Sequence, residues 1–340
     1  MVSCSIIIPT LNEKDFIDDC LESIIKNNSI IDDSEIIIID GGSDDGTIEL
    51  INKWCEKYEF IKLLNNPKKI TPSALNIGVQ NAIGKYIVRL DAHTIYCENY
   101  IDKLVEFLEH SPSDVMNVGG TIQTKSKKNN FISNCIAIVL ASKFGVGNSF
   151  FRTEKVKKNI VVDTVPFGVF RKTIFDEIGL FNENEPRNED LEFNQRIVNK
   201  GFKIMLLAGV ESIYFSRNTF KSFLAQSFDN GFIVMNKVRL WSSFHKIRHY
   251  VPFLFLMYII FFCFNSLLIR NEFFNNIFIA IAILYFLLNI FFSSINSFLI
   301  KKKFYFIPLI FIYFSLHVTY GLGSIYGLID IFKFTKKKDI

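Results

Sequence analysis

Asp91-Ala92-His93 sets a carboxylate and an imidazole two residues apart where the apolar run Tyr86-Ile87-Val88-Arg89-Leu90 gives out. Alternation along a strand puts residues i and i+2 on one face, so Asp91 and His93 can converge on a single divalent ion. A neutral imidazole is a softer ligand than a carboxylate and adds no charge, which suits Mn2+ at least as well as Mg2+. Metal would then be lost as His93 protonates at mildly acidic pH. Alone, the triplet is more often a turn with a surface histidine than a metal site. Its company narrows the choice: the turn Pro9-Thr10-Leu11-Asn12-Glu13, the turn Asp40-Gly41-Gly42-Ser43-Asp44-Asp45-Gly46-Thr47, and the acidic pair Glu189-Asp190.

The elements that must hold these groups are short runs of Ile, Val and Leu. Strands are expected over Ser5–Pro9, Glu35–Asp40, Ile61–Leu64 and Tyr86–Asp91, separated by helices over Asp15–Lys26, Gly46–Lys57 and Thr71–Ala82. Strands alternating with helices mean parallel βαβ units, and in open α/β sheets ligands bind at the carboxyl ends of the strands. All the polar turns fall at such ends. Gly41 and Gly42 permit a tight turn close to a ligand, Asp40 can accept from a base or ribose donor, and Asp44 or Asp45 can cap the next helix. No Gly-x-Gly-x-x-Gly follows the first strand, which excludes a nicotinamide-dinucleotide site, and no Walker A lysine motif is present.

As a set, over roughly residues 3 to 240, these motifs resemble those of the family 2 glycosyltransferases of the GT-A fold. The resemblance implies a Rossmann-like, mostly parallel α/β domain followed by transmembrane helices. It implies that Pro9, Thr10, Glu13 and Asp40 hold the base and ribose of a nucleotide-sugar donor, with Asp91 beside them. The segment Asn66 to Gly78 is similar to the stretch that runs beneath the donor, in particular among membrane-bound exopolysaccharide glucosyltransferases of the succinoglycan type, which also carry Asp-Ala-His. Lys69 and Arg89 are then diphosphate contacts, or solvated charges. Asp91 and His93 are the implied ligands of Mn2+ or Mg2+.

On the acceptor side, Phe167-Gly168-Val169-Phe170-Arg171 looks like the family's strand, with Gly168 letting a sugar approach the backbone. Glu189-Asp190 opens a helix that ends before Gly201. Single displacement at an anomeric carbon needs one carboxylate there to take the acceptor hydroxyl's proton, a role given to Asp190, with Glu189 orienting it. The alternative is two acids placed favourably at a helix start. Arg217 is assigned to phosphate and Gln226 to the acceptor or diphosphate, while Phe220 and Phe223 are packing or interfacial residues. A further histidine common in the family is missing, since Lys203 to Arg217 offers Tyr214 and Ser216 instead.

Composition divides the chain near residue 245. Residues 1–245 read as a globular domain, with an interfacial segment near 217–248, and 249–340 as a membrane domain. Val251–Ile269, Phe273–Phe292 and Phe304–Phe332 each approach or exceed the roughly 18 apolar residues that cross a bilayer. Met1 to Ser5 lead directly into a strand without a basic leader, so the globular part is expected to be cytoplasmic, at a bacterial inner membrane. Lys237, Arg239, Lys246 and Arg248 before the first segment and Lys301–Lys303 after the second suit positive-inside placement. Lys336–Lys338 do not, if the third segment also crosses; it either re-enters, lies partly flat or breaks the rule. Six scattered cysteines argue against a disulfide framework and a zinc cluster. The net charge of +4 is small, and no nucleic-acid partner is expected.

The resulting expectation is an inverting, metal-dependent transferase that moves a sugar from a nucleotide donor, UDP-glucose or a related UDP-hexose, to a polyprenyl-diphosphate-linked glycan in exopolysaccharide or envelope synthesis. Its partners are the donor, the lipid-linked acceptor, the membrane and polysaccharide assembly proteins. One rival is a polyprenyl-phosphate sugar synthase. Another is a nucleotide-sugar-binding membrane scaffold without turnover.

Overall fold

The computed structural model describes residues 3–128, 130–153, 156–185, 187–216, 219–236, 249–301 and 303–335. Arg217 and the basic residues Lys237, Arg239, Lys246, Arg248, Lys302 and Lys336–Lys338 lie outside the described residues. The chain forms two compact units, one of Met1–Gln123 with Phe150–Tyr214 and one of Thr124–Ser149 with Phe215–Ile340. Composition places a boundary near residue 245; packing begins the second unit at Phe215 and adds Thr124–Ser149, because helices in both stretches pack on the last apolar helix.

In the first unit, β-branched isoleucines fill Ile6-Ile7-Ile8 and Ile36-Ile37-Ile38-Ile39 and are buried on both faces, the pattern of central parallel strands. β1 (Cys4–Thr10), β2 (Ser34–Asp40), β3 (Ile61–Asn65) and β4 (Tyr86–Arg89) are parallel, with β1 between β2 and β4. α1 (Ile17–Asn27), α2 (Thr47–Lys57) and α3 (Thr71–Asn81) connect them, so the expected βαβ units are present. β5 (Thr94–Tyr96), α4 (Tyr100–His110) and β6 (Val115–Lys125) follow. After an excursion into the second unit come α7 (Phe150–Thr153), β7 (Ile160–Val162), β8 (Gly168–Arg171), α8 (Ile174–Ile178), α9 (Glu189–Asn199) and β9 (Lys203–Phe215). The sheet order is β3-β2-β1-β4-β8-β6-β9-β5, with β7 on β9. β8 is antiparallel to both β4 and β6, and β5 and β7 are antiparallel to β9. The α/β class therefore holds, with a parallel half joined to an antiparallel half.

Period-two alternation divides the core between the sheet's faces. Ile6, Ile8, Ile36, Ile38 and Val88 pack with residues of α1, α2 and α4. Ile7, Ile37, Ile39 and Ile87 pack with α3, α8 and α9. Each such isoleucine contributes roughly 1.5–3 kcal/mol of burial free energy, which holds the strand ends in register.

The second unit contains α5 (Phe131–Leu140), α6 (Lys143–Val146), α10 (Phe220–Asn236), α11 (Val251–Phe264), α12 (Glu272–Leu299) and α13 (Phe306–Thr335). α11 continues through a π turn over Asn265–Ile269. Among the described residues, Val251–Ile269, Glu272–Leu299 and Phe306–Ile331 are long and apolar enough to cross a membrane. Phe223 of α10 and Cys135, Ile136 and Val139 of α5 are buried with Leu309, Ile312, Tyr313 and Leu316 of α13. A Cβ at Gly231, Gly323 or Gly327 would run into backbone of the facing helix, so these glycines bring α10 and α13 into close contact. His317 is a packing residue: Nδ1 lies 3.0 Å from Tyr285 Oη and Nε2 3.0 Å from the Phe144 carbonyl.

Candidate active site

The parallel register sets the ends of β1, β2 and β4 side by side, so the turns that follow them meet. The first two are joined by hydrogen bonds. Asn12 N–H donates to Ser43 Oγ (2.8 Å), Asp44 N–H to Asn12 Oδ1 (3.0 Å), Glu13 N–H to Thr47 Oγ1 (2.9 Å) and Lys14 N–H to Asp45 Oδ2 (3.1 Å). Asn12 adopts φ 56°, a left-handed conformation that a short amide tolerates. Pro9 is half-buried, and Thr10 is buried with Oγ1 donating to the Ile8 carbonyl at 3.3 Å.

Asp40, expected to face a base or ribose, is buried and holds its own turn. Its Oδ1 accepts from the N–H groups of Gly42 (2.8 Å) and Ser43 (2.7 Å), and its Oδ2 from Ser43 Oγ (2.6 Å). Lys69 is exposed and lies against this turn: a Cβ on Gly42 would sit 3.4 Å from Lys69 Nζ.

β4 ends at Arg89, earlier than predicted, so Asp91-Ala92-His93 forms the turn into β5 and not a strand face. Buried Tyr96 pins that turn, its hydroxyl accepting from Asp91 N–H at 2.8 Å. Arg89 is not a free diphosphate contact. It is buried, donates through Nη1 to the Pro166 carbonyl, and has Nη2 3.1 Å from Asp91 Oδ1 and 3.0 Å from Glu189 Oε1. Burial disfavours its charge, but Asp91, Glu189 and Asp190 outweigh that and hold its proton more firmly than usual. Its Nε is buried without a partner among the described residues.

His93 Nδ1 lies 3.0 Å from Glu13 Oε1, and the imidazole packs edge-on against Tyr214 at 5.1 Å between ring centroids. Burial alone would lower its pKa; the bond to Glu13, with Tyr214 and Asp91 nearby, pushes it up to about 9. Protonation is thus not confined to mildly acidic pH, as the isolated residue suggests. Glu13, expected on the nucleotide, orients this ring instead. An imidazole that gives one N–H to a carboxylate turns its other nitrogen outward, the usual support of a metal-bound histidine. Among the described residues no group of three or more His, Cys, Asp or Glu gathers around a metal position. With Asp91 and His93 the ligand-type groups in this turn, an ion held here would need its remaining ligands from substrate phosphates and water.

Glu189 and Asp190 open α9 as predicted, after Asn188 in the left-handed conformation (φ 58°). Burial pushes Glu189 up to about 7 despite Arg89, and raises Asp190 as well. Glu189 is buried, whereas Asp190 is half-buried and its Oδ1 accepts from Leu191 N–H at 2.8 Å. One turn along α9, Asn194 accepts from Asn117 Nδ2 (2.8 Å) and donates to Thr164 Oγ1 (2.9 Å) and the Val165 carbonyl (3.0 Å), fixing the helix to the sheet.

Gly168 does not border open space. It is buried in β8, paired with Arg89 and Gly119, and a Cβ there would collide with Asn117 Oδ1. Its small size serves packing against Asn117, where the sequence suggests the approach of a sugar. Gln226 belongs to α10, in the second unit, and is half-buried.

Sequence reasoning missed Arg152. Its guanidinium lies 5.1 Å from the Tyr214 ring centroid and 5.9 Å from that of Phe151. Burial lowers its pKa, with Tyr214 and Asp190 acting against that. Nothing local in Phe151-Arg152-Thr153 signals this placement.

Comparison with known proteins finds a solved structure of the same fold and relatives in sequence. A mannosyltransferase from Pyrobaculum calidifontis, solved with GDP-Man and Mn2+, superposes with a TM-score of 0.60 at 15% identity, covering 96% of this chain and 87% of that one. A Methanococcus voltae dolichyl N-acetyl-alpha-D-glucosaminyl phosphate 3-beta-D-2,3-diacetamido-2,3-dideoxy-beta-D-glucuronosyltransferase is 28% identical over 78% of this chain and 82% of its own length. The succinoglycan biosynthesis protein ExoA of Rhizobium meliloti is 29% identical over 63% of this chain and 64% of its own. The model of glycosyl transferase family 2 matches residues 5–179, from β1 through α8. That stretch holds both joined turns, Arg89 and the Asp91–His93 turn, so the chain belongs to glycosyl transferase family 2 and is a glycosyltransferase of the GT-A fold.

Proposed function

We propose that this glycosyltransferase inverts the anomeric centre of a UDP-hexose, UDP-glucose first among them, and delivers the sugar to a hydroxyl of a polyprenyl-diphosphate-linked glycan. The observation that carries the reading is the position of Asp190 beside the buried Arg89 system. Glu189 is committed to Arg89 at 3.0 Å, while Asp190 keeps a carboxylate oxygen for an acceptor. Asp190 takes the acceptor hydroxyl's proton as that oxygen bonds to the anomeric carbon and the bond to the nucleoside diphosphate breaks. Glu189 and Arg89 hold the base in place. Asp91 and His93 would hold Mn2+ or Mg2+, which when bound neutralises charge on the diphosphate. The Mn2+ in the mannosyltransferase complex supports this. Since Arg89 is committed elsewhere, Arg152 joins Lys69 as a cation available to phosphate.

The dolichyl-linked acceptor in the Methanococcus relative's name supports a hydroxyl on a lipid-carried sugar over the lipid phosphate itself. The apolar helices support work at a membrane, which confines such an acceptor to one plane and raises its effective concentration. We place the catalytic unit on the cytoplasmic side of a bacterial inner membrane, in exopolysaccharide or envelope synthesis as for ExoA.

The test is transfer of label from UDP-glucose, UDP-galactose, UDP-GlcNAc and GDP-mannose into the lipid-extractable fraction of membranes, for the intact chain and Asp190→Asn. Labelling from one donor that falls about 10²- to 10⁴-fold in the variant is the expected result. Labelling that survives Asp190→Asn favours a polyprenyl-phosphate synthase. Nucleotide binding without transfer from any donor favours a scaffold.

A further inference from the structure

α11 and α12 form an antiparallel hairpin whose register holds to within one helical turn. Phe255 stacks on Tyr285 (4.2 Å between centroids), Tyr258 Oη donates to the Phe278 carbonyl (2.6 Å), and Asn265 Nδ2 donates to Asn275 Oδ1 (2.8 Å). Continuing that register sets Val251, where the first candidate span begins, level with Asn289. The last turns of α12 therefore project beyond the level at which α11 starts. Burial marks the same level: the buried residues of α12 are Asn289, Ser293 and Ser297, all polar, whereas apolar side chains nearer the turn, such as Phe273 and Ile283, are exposed.

α13 meets the hairpin at this base. On α11, Phe314 and His317 pack against Phe255, and a Cβ on Gly321 would meet Pro252 and Leu256. On α12, His317 bonds Tyr285, the Ile310 carbonyl accepts from Asn289 (3.1 Å), and Tyr313 Oη accepts from Asn296 (2.9 Å). The middle of α13 is thus level with the start of the first span. A third span lying beside the other two would place its middle near theirs.

α10 points to the same conclusion. It runs parallel to α13, from Phe220 on Phe311 (5.7 Å), through Phe228 on Tyr326 (5.9 Å), to Asn236 Nδ2 donating to Asp330 Oδ2 (2.9 Å). It carries Lys221, Asp229 and Asn230. Were α13 to span the bilayer, these groups and Asp330 would be drawn through the hydrocarbon with it, where ionisable side chains are costly.

We propose that the chain crosses the membrane twice, through α11 and α12, and that α13 lies with α5 and α10 along the membrane face at the hairpin's base. The occupant of α13's open side is the headgroup and acyl boundary of one leaflet. Ile307, Leu322 and Ile329 are exposed along it, with Phe311 and Tyr326, also exposed, at the edge where their rings meet Phe220 and Phe228 of α10. Lys301 and the described end of α13 at Thr335 then share one side of the bilayer, which removes the conflict that three crossings create with positive-inside placement.

The experiment puts single cysteines at Asn271 (N271C), Lys301 (K301C) and Thr335 (T335C) in the full chain. Sealed right-side-out and inverted membrane vesicles are treated with an impermeant polyethylene-glycol maleimide, and the added mass is read over that of the parent chain. K301C and T335C tagged from the same side, with N271C tagged from the other, is the expected result. T335C tagged from the side of N271C overturns the proposal. Reporter fusions read the same two sides without an introduced cysteine. A fluorescent protein after Ile340 glows and an alkaline phosphatase there stays inactive if two crossings are right; an active phosphatase there means three.

Discussion

Arg89 Nη2 lies 3.0 Å from Glu189 Oε1, and the same nitrogen lies 3.1 Å from Asp91 Oδ1. A single buried guanidinium thus ties the end of β4 to the start of α9, elements whose paired residues are 100 positions apart in the sequence.

Removing it leaves two carboxylates without their counter-charge. Arg89→Met should cost about 3–5 kcal/mol of stability, the usual penalty for breaking a buried ion pair from one side. Denaturant titration of the purified protein measures it. Arg89→Lys should recover only part, because an ammonium cannot reproduce the planar fork that reaches Pro166, Asp91 and Glu189 together. A loss below 1 kcal/mol for Arg89→Met would contradict the burial described.

Glu189 gives stability a pH dependence. Its carboxyl is pushed up to about 7 in the folded chain, chiefly by burial, against an ordinary 4.5. The folded state therefore binds the proton more tightly than the unfolded one. Its contribution is fully present below pH 4.5 and is lost as pH rises through about 7. Glu189→Gln should flatten that portion of the stability profile, as read by unfolding midpoints across the window. An unchanged slope in the variant would assign the dependence to another group.

Arg152→Gln should weaken binding of UDP or GDP about 10- to 100-fold, as for loss of a hydrogen bond between charged partners. Uridine and guanosine, which lack the phosphates, should bind as before. Calorimetry in the presence of Mn2+ separates the two. Equal losses for nucleoside and diphosphate would mean that Arg152 supports the fold around Tyr214 and does not meet phosphate.

Gly168→Ala should destabilise by about 1–3 kcal/mol, the cost of overpacking a filled core, because the new Cβ meets Asn117. Adding Asn117→Ser should restore part of the loss. Full stability with reduced sugar transfer would instead return Gly168 to an acceptor-facing role.

The strands and joined turns were legible because their signals are local: isoleucine runs with period-two burial, glycines where φ is positive, and an acidic pair opening a helix. The roles of Arg89 and Gly168 were not. Arg89 finds its partners 77 and 100 residues away, and Gly168 is constrained by Asn117 on the next strand. Arg152 has no sequence signature, since only the return of the chain through α7 brings it to Tyr214. Hydropathy likewise identifies α13 as long and apolar but carries no information on whether its middle is level with the other spans' middles or their ends.

The four hydrogen bonds that join the turn after β1 to the turn after β2 also decide when disorder is lost. Fixing a backbone residue costs roughly 1–2 kcal/mol of conformational entropy, and here that loss falls in folding, before any ligand arrives. A nucleotide bound by these turns, as proposed above, would dock on a preformed socket without a loop-closure cost to its affinity. Cutting one strut, as in Asn12→Ala, slackens both loops together, so the damage appears as slower capture of ligand before it appears as a missing contact.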